Sequence, residues 1–308
     1  NSNTNVKVFA VKNDLGKVVY EICTDYRDLE QFYKSKYCQA FLNKAFYERL
    51  ISAISNEAVC LIIGTPCVLS GIKNTLLAQK AKLTSCIFVD LVCHGVMSQS
   101  VYHTHLEECK KRWGGVVTQH YFRYKRAVTK DCPEGSRWNL YKVNNEIIIK
   151  KSDDDYYMQT YFADLAMRET CYCCQFTGTN RIGDITIGDF NNAHILCSQF
   201  DGLRSVSLVL VNTDKGQRFI DECNNNTVNL QPVDIKLLQK FNTPLTAPIK
   251  RPFQRSLFYT FYNSLGLSRT VSLLNYKYYL RKIIVAFGGK KLLLKIKALL
   301  GRSYIDIE

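Results

Sequence analysis

The sequence predicts an α/β fold, with a mixed sheet and flanking helices, followed by a basic helical C-terminal tail. Short apolar runs that end at Gly or Pro alternate with segments of helical periodicity, which is the pattern of strands connected by helices. With 308 residues, 46% of them hydrophobic, the chain is long enough to bury a sizeable core. The sequence contains no internal repeat and no low-complexity stretch.

The net charge of +14 divides the chain into a body and a tail. Residues 250–308 contain twelve Lys or Arg and two acidic side chains, which gives them a charge of +10 and leaves +4 for residues 1–249. We therefore expect a folded domain over 1–249 and a basic amphipathic helical tail over 250–308.

The first part of the body contains a predicted β-α-β unit. Elements are expected in this order: strands at 6–12 and 17–23, helices at 26–34 and 39–54, a strand at 58–63, a helix at 68–81 and a strand at 86–92. The last three form the β-α-β unit, in which Cys67 and Cys93 each follow a strand. Open α/β sheets place their chemistry at this carboxyl edge.

The second part of the body continues the alternation. We expect strands at 116–124 and 139–150, the latter a hairpin around Asn144-Asn145, a helix at 156–168, strands at 184–190 and 205–211, and a helix at 214–223. This pattern favours an α/β body with some antiparallel pairing over a helical bundle.

Four of the 13 cysteines are candidate metal ligands. Cys171 and Cys174 form a C-x2-C pair, and Cys67 and Cys93 lie at strand ends, so four thiolates can converge on iron–sulfur or zinc. Cys173 is either a spectator or a replacement for Cys174. The odd number of cysteines and the absence of a signal peptide indicate reduced thiols and a cytoplasmic location.

The remaining motifs exclude some classes and suggest few others. The zinc-protease, serine-hydrolase, P-loop and Rossmann signatures are all absent. His94 is either a surface histidine or a proton donor. Other cysteines are expected in the core or stay unassigned: Cys23, Cys60, Cys86, Cys109, Cys197 and Cys223 in the core, Cys38 and Cys132 unassigned.

A series of phrases resembles the beta-subunit family of coenzyme F420 hydrogenase/dehydrogenase, which includes bacterial homologues linked to polysaccharide synthesis. The phrases, in family order over about residues 1–215, are Ser35-Lys36-Tyr37, Gly64-Thr65-Pro66-Cys67, Asp90-Leu91-Val92-Cys93-His94-Gly95, Phe122-Arg123, Cys171-Tyr172-Cys173-Cys174-Gln175-Phe176, Asp184-Ile185-Thr186-Ile187-Gly188-Asp189-Phe190 and Ser207-Leu208-Val209-Leu210-Val211-Asn212-Thr213. Family members usually begin with a glycine-rich segment that this sequence lacks, so we expect it to be a fragment.

The resemblance implies an iron–sulfur flavoprotein oxidoreductase with FAD and a 4Fe–4S cluster. The family's cluster cysteines fall on Cys67, Cys93, Cys171 and Cys174, and His94 is the candidate catalytic residue. Electrons would pass from a ferredoxin-type donor to a small-molecule substrate, such as a sugar or sugar-nucleotide in polysaccharide biosynthesis. Flavin contacts are expected from Ser35, Lys36, Tyr37, Gly64, Thr65, Pro66, His94 and Gly95.

Two alternatives stay open at this point. Four thiolates could instead hold structural zinc in a non-enzymatic basic adaptor at a membrane or nucleic acid, or the chain could reduce a deazaflavin as in methanogens. The tail, whose last segment Lys290–Leu300 is amphipathic, either packs on the body or docks on an anionic membrane. Its charges exclude a transmembrane span, and no motif supports nucleic-acid binding, which we do not expect.

Overall fold

The computed structural model describes residues 6–14, 16–124, 137–190, 193, 206–223 and 229–275, and it has the predicted mixed α/β architecture. Its strands are β1 (Val6–Asp14), β2 (Lys17–Cys23), β3 (Val59–Gly64), β4 (Cys86–Leu91), β5 (Val117–Tyr124), β6 (Trp138–Val143), β7 (Glu146–Lys151), β8 (Ile185–Asp189) and β9 (Ser207–Val211). Its helices are α1 (Lys44–Ser55), α2 (Pro66–Ala78), α3 (Gln99–Trp113), α4 (Tyr156–Phe162), α5 (Glu169–Tyr172), α6 (Asp214–Cys223), α7 (Ile235–Phe241), α8 (Arg255–Leu265) and α9 (Leu267–Leu274). Short 3-10 turns cover Tyr26–Phe32, Ser152–Asp154 and Thr243–Leu245.

The main sheet has six strands in the order β2-β1-β3-β4-β8-β9. The four inner strands are parallel, and the two outer strands, β2 and β9, are antiparallel to their neighbours. Strands β3 and β4 pair in parallel through α2, which confirms the predicted β-α-β unit. Because parallel strands end at the same edge, the segments after β3, β4 and β8 emerge side by side.

Apolar side chains cover both faces of this sheet. On one face, α1 and α2 pack on the strands through buried residues that include Phe9, Phe46, Leu50, Ile62, Leu69, Ile72 and Phe88. On the other face, Phe219 and Ile220 of α6 pack on Ile87, Val89 and Ile185. Strand β4 is therefore buried along nearly its whole length, as expected for a central parallel strand.

A second sheet carries β5, β6 and β7 in antiparallel order. Its hairpin turns at Asn144, whose φ is 53°, and this confirms the turn predicted at Asn144-Asn145. Helix α3 supplies Val101, Tyr102, His105 and Cys109 to the core. The sequence pattern did not predict α3, because much of its buried stripe is aromatic, imidazole or thiol rather than aliphatic.

Two helix boundaries differ from their predictions by five residues or more, and each does so for a local reason. Helix α1 begins at Lys44 rather than near 39, because the side chain of Asn43 accepts a hydrogen bond from Phe46 N at 2.8 Å and caps the helix there. Helix α4 ends at Phe162 rather than near 168, and Asp164 then adopts a φ of 54° that redirects the chain.

The buried cysteines follow the predicted pattern with one exception. Cys23, Cys60, Cys86 and Cys109 are buried, and so is the unassigned Cys38. Cys223, which was expected in the core, is exposed at the end of α6. Cys132 and Cys197 lie outside the described residues.

The chain divides into two compact units, residues 1–252 and 253–308. In the second unit, α8 and α9 are the described helices, and the ring of Phe258 stacks on Tyr262 at a centroid distance of 5.6 Å. The predicted amphipathic segment at 290–300 lies outside the described residues. Among the helices that the structure describes, none is both long and apolar enough to cross a bilayer.

Candidate metal centre

Four thiols reach one edge of the main sheet from three segments of the chain. Cys67 lies in the first turn of α2, directly after β3, and Cys93 follows β4. Cys171 lies in α5, and Cys174 follows the end of that helix. Cys67 is exposed and the other three are half-buried, so the group sits at the surface rather than in the core.

These thiols act on one another electrostatically. Burial raises the pKa of Cys93 to about 12, and the charges of Cys67, Cys171 and Cys174 contribute to this rise. The pKa of Cys171 is also raised, first by burial and then by Cys67 and Cys174. These raised pKa values keep Cys93 and Cys171 as neutral thiols near neutral pH, and a bound soft cation would favour their thiolate forms.

The chemical type of these four ligands fits a soft metal, although the four sulfurs are not in the geometry of a formed metal site. Four cysteine sulfurs are the ligands that iron–sulfur clusters and structural zinc prefer. Within the residues that the structure describes, no group of three or more His, Cys, Asp or Glu is arranged to hold a metal ion.

Backbone pairing brings the cysteine segments together. The register of β3 and β4 pairs Gly64 with Asp90, which sets Cys67 and Cys93 on neighbouring loops. Further along, Arg168 N donates to Val96 O and Ser98 N donates to Ala166 O, both at 2.9 Å. These bonds hold the segment after Cys93 beside the segment that precedes Cys171.

The structure separates Cys173 from its neighbour Cys174. The sulfur of Cys173 points back at its own helix, 3.8 Å from Glu169 O and 3.9 Å from Thr170 O, and it is exposed. Cys174, in contrast, is one of the three charges that act on Cys93. The C-x2-C spacing therefore places its two outer cysteines with the group.

Tyr20 is a neighbour of the thiols that the sequence did not reveal. Its buried hydroxyl accepts a backbone hydrogen bond from Thr65, and its pKa is raised by burial and by the charges of Cys67 and Cys93. A Cβ on Gly64 would lie 2.2 Å from this hydroxyl, so a side chain there would have to displace the ring of Tyr20. Pro66 then begins α2 at its first position, and Thr65 O accepts the amides of Val68 and Leu69.

The Ser35-Lys36-Tyr37 segment lies at a second, half-exposed corner of this edge. Lys36 Nζ donates to Phe32 O at 2.7 Å and to Tyr33 O at 2.8 Å, and burial lowers its pKa to about 8. The hydroxyl of Tyr37 hydrogen bonds with Ser35 and Arg123. Arg123 also bonds to Asp189 at 2.6 Å, so the ends of β5 and β8 meet there.

An aromatic layer connects this corner with the thiols. The ring of Tyr161 lies 4.5 Å from that of Tyr37 and 5.8 Å from the imidazole of His94. Burial raises the pKa of Tyr161, and the charges of Tyr37, Cys93 and Cys171 add to this effect. Tyr161 therefore lies between the thiols and the Arg123–Asp189 pair.

His94 is held by a carboxylate that the sequence pattern did not indicate. Its Nε2 lies 2.7 Å from Asp164 Oδ1, and the hydroxyl of Tyr172 donates to Asp164 O. The side chains of His94 and Asp164 are 42% and 23% exposed. The next residue, Gly95, packs closely, since a Cβ there would lie 3.2 Å from Ile249 and from Met167. The predicted helix at 156–168 includes Asp164, so nothing in the sequence indicated this contact.

Comparison with known proteins gives one family and one structural likeness. The family model for the C-terminal part of the coenzyme F420 hydrogenase/dehydrogenase beta subunit matches residues 58–236. A chain of the F420-reducing NiFe hydrogenase complex from Methanosarcina barkeri is similar at 13% identity and a TM-score of 0.45, over 78% of this chain and 76% of that one. No curated protein sequence matches significantly.

Proposed function

The chain belongs to the coenzyme F420 hydrogenase/dehydrogenase beta-subunit family, and we propose that it is an iron–sulfur flavoprotein that passes electrons between a ferredoxin-type donor and a small-molecule substrate. Cys67, Cys93, Cys171 and Cys174 would hold a 4Fe–4S cluster. The observation that carries this proposal is that strand pairing and backbone hydrogen bonds bring the segments that contain these four cysteines to one edge of the main sheet. Soft thiolate ligands in that number suit such a cluster.

FAD would bind beside the aromatic layer. When bound, a flavin accepts single electrons and delivers two as hydride. Tyr37 and Tyr161 offer aromatic surface, while Ser35 and the turn of Gly64, Thr65 and Pro66 offer polar groups near it. Lys36 already donates to two carbonyls, so its part would be to fix the shape of this segment.

His94 would hold the proton that accompanies electron transfer, with Gly95 giving the loop its close packing. The carboxylate of Asp164 fixes the imidazole through Nε2, which leaves Nδ1 to face a reacting group.

The substrate class that we favour is a sugar or sugar-nucleotide in polysaccharide biosynthesis, by analogy with bacterial members of the family. We also propose a cytoplasmic location, with membrane contact through the basic tail.

The test is to purify the full-length gene product without oxygen and to measure its iron, sulfide, zinc and flavin. We expect about four iron and four sulfide per chain, with one flavin. A colourless preparation without iron would contradict the proposal. Stoichiometric zinc would instead favour a structural four-cysteine site in a basic adaptor, since zinc accepts the same ligands. Oxidation of reduced F420 by the iron-loaded protein would identify a deazaflavin reductase.

A further inference from the structure

A buried carboxylate interrupts the apolar strand that leads to Cys93. Asp90 is the penultimate residue of β4, and its side chain is 0% exposed. Its Oδ2 accepts hydrogen bonds from Ile182 N at 3.1 Å and from Gly183 N at 3.0 Å. Its Oδ1 accepts a bond at 2.8 Å from Arg181, whose side chain is 1% exposed. A buried ion pair of this kind is costly unless all of its groups are bonded.

The guanidinium of Arg181 joins two of the cysteine segments. Its Nη2 donates to Leu91 O at 2.9 Å, two residues before Cys93. Its Nη1 donates to Phe176 O at 3.0 Å and to Gly178 O at 3.3 Å, just after Cys174. The planar guanidinium of Arg181 therefore bonds at the same time to the backbone before Cys93 and to the backbone after Cys174.

The turn that presents Arg181 leaves no space for adjustment. A Cβ on Gly183 would lie 2.8 Å from Asp90 N, 2.9 Å from Phe88 O and 2.7 Å from Ile185 O. All three are backbone atoms, so the turn rests directly against β4. Arg181 thus projects from a fixed base rather than from a mobile loop.

We propose that Arg181, held by Asp90, is the positioning residue that sets the spacing between Cys93 and Cys174. The inference rests on the proposed function, because it takes these thiols as ligands of one soft metal centre. The pairing of β3 with β4 places Cys67 beside Cys93. The backbone hydrogen bonds of Val96 and Ala166 place the segment of Cys171 beside the segment that follows Cys93. Arg181 supplies the remaining connection, the one to Cys174.

The test is a Co²⁺ titration of the reduced full-length protein after removal of bound metal, followed by thiolate-to-cobalt absorption. We expect Arg181→Met to weaken Co²⁺ binding about 10- to 100-fold, the usual effect of losing a group that orients metal ligands. Arg181→Lys should weaken it similarly, because an ammonium cannot bond to both segments at once. The matched controls are Arg218→Met and Arg218→Lys on the exposed face of α6, which should bind as the parent does.

Far-UV circular dichroism and thermal unfolding separate positioning from stability. If Arg181→Met does not fold, Arg181→Lys, which keeps a cation beside Asp90, decides the matter. A folded Arg181→Lys variant with lower thermal stability but parental Co²⁺ affinity and spectrum would overturn the proposal. A parent that binds Co²⁺ through thiolates, yet contains no iron when purified without oxygen, would refute the proposed function and leave the role of Arg181 standing.

Discussion

Two regions of this protein collect titratable side chains, and they do so in opposite ways. The cysteine edge is formed by Cys67, Cys93, Cys171 and Cys174. These residues lie within or just after short elements at one edge of the main sheet, and they are exposed or half-buried. The histidine network is buried among α3, α4 and the second sheet. Its members are the buried residues His105, His120, Tyr141 and Asp155.

The two regions differ in how their polar atoms are bonded. In the histidine network, Tyr141 donates to Asp155 Oδ2 at 2.5 Å and lies 3.0 Å from His105 Nε2, while Asp155 Oδ1 accepts two amides at the start of α4. At the cysteine edge, burial raises the pKa of Cys93 and of Cys171, and the neighbouring thiols add to the rise. Hydrogen bonds among Tyr141, His105 and Asp155 in the core specify architecture, whereas four cysteines gathered at a sheet edge are the ligand type of a soft metal.

The largest effect on stability is expected from removing the carboxylate of the histidine network. Asp155→Ala removes the cap of α4 and leaves the hydroxyl of Tyr141 without its acceptor, so the free energy of unfolding should fall by about 2–5 kcal/mol. The matched control is Asp189→Ala, which removes a 60% exposed carboxylate and should cost about 1 kcal/mol or less. Urea unfolding measures both variants. Equal costs would mean that burial does not distinguish the two regions.

The cysteine edge should show its own packing constraint at Gly64. Gly64→Ala forces a Cβ against the hydroxyl of Tyr20 and should lower the unfolding free energy by about 1–3 kcal/mol. Gly71→Ala in α2, where a Cβ meets nothing within 4 Å, should instead add about 0.5–1 kcal/mol.

A double-mutant cycle measures the contact directly. Tyr20→Phe removes the hydroxyl that lies 2.2 Å from the added Cβ, so it should restore part of the stability that Gly64→Ala loses. Strictly additive costs in urea unfolding would show that Tyr20 is not what excludes a side chain at Gly64.

Acid should weaken the histidine network. Burial, together with the charge of His105, lowers the pKa of His120 to about 3 against the opposing charge of Asp155, whereas an unfolded histidine titrates near about 6.5. The unfolded chain therefore takes up a proton that the folded chain refuses. The free energy of unfolding is therefore insensitive to His120 above about pH 6.5. Between about pH 6.5 and pH 3 it falls by about 1.4 kcal/mol for each pH unit of acidification.

The pH effect can be assigned by substitution. The slope of the unfolding free energy against pH measures how many protons are taken up on unfolding. Below about pH 6.5, His120→Leu should reduce this number by about one. The control is His103→Leu, at an exposed position on α3, which should leave the slope as it is. A slope that is unchanged in His120→Leu would assign the acid sensitivity to other groups.

The sequence predicted the main sheet better than helix α3, and the reason is physical. Parallel strands in the middle of a sheet are covered on both faces, so β3 is a continuous apolar run that ends at Gly64, and β4 is apolar except for Asp90. Helix α3 was missed because Tyr102, His105 and Cys109 form much of its buried stripe. Their burial depends on partners such as Tyr141, which lies on another element.

For the candidate site, spacing predicted the cysteines as ligands but indicated nothing of the residues around them. The C-x2-C pattern is local, and so it could be found in the sequence. Whether Cys173 or Cys174 joins the group depends on where α5 ends, and the role of Arg181 depends on Asp90, 91 positions away. A carboxylate inside an apolar strand was the one available signal, since such a group requires a buried partner.

The most direct test of the account compares Cys174→Ser with Cys173→Ser in protein prepared without oxygen. The two substitutions are chemically identical and adjacent, but Cys174 acts on Cys93, whereas Cys173 faces its own helix. We predict that Cys174→Ser loses most of the iron and sulfide and the associated broad visible absorption, while Cys173→Ser keeps the parental content. Equal iron in both variants, or a loss confined to Cys173→Ser, would contradict the convergence of Cys67, Cys93, Cys171 and Cys174 on one centre.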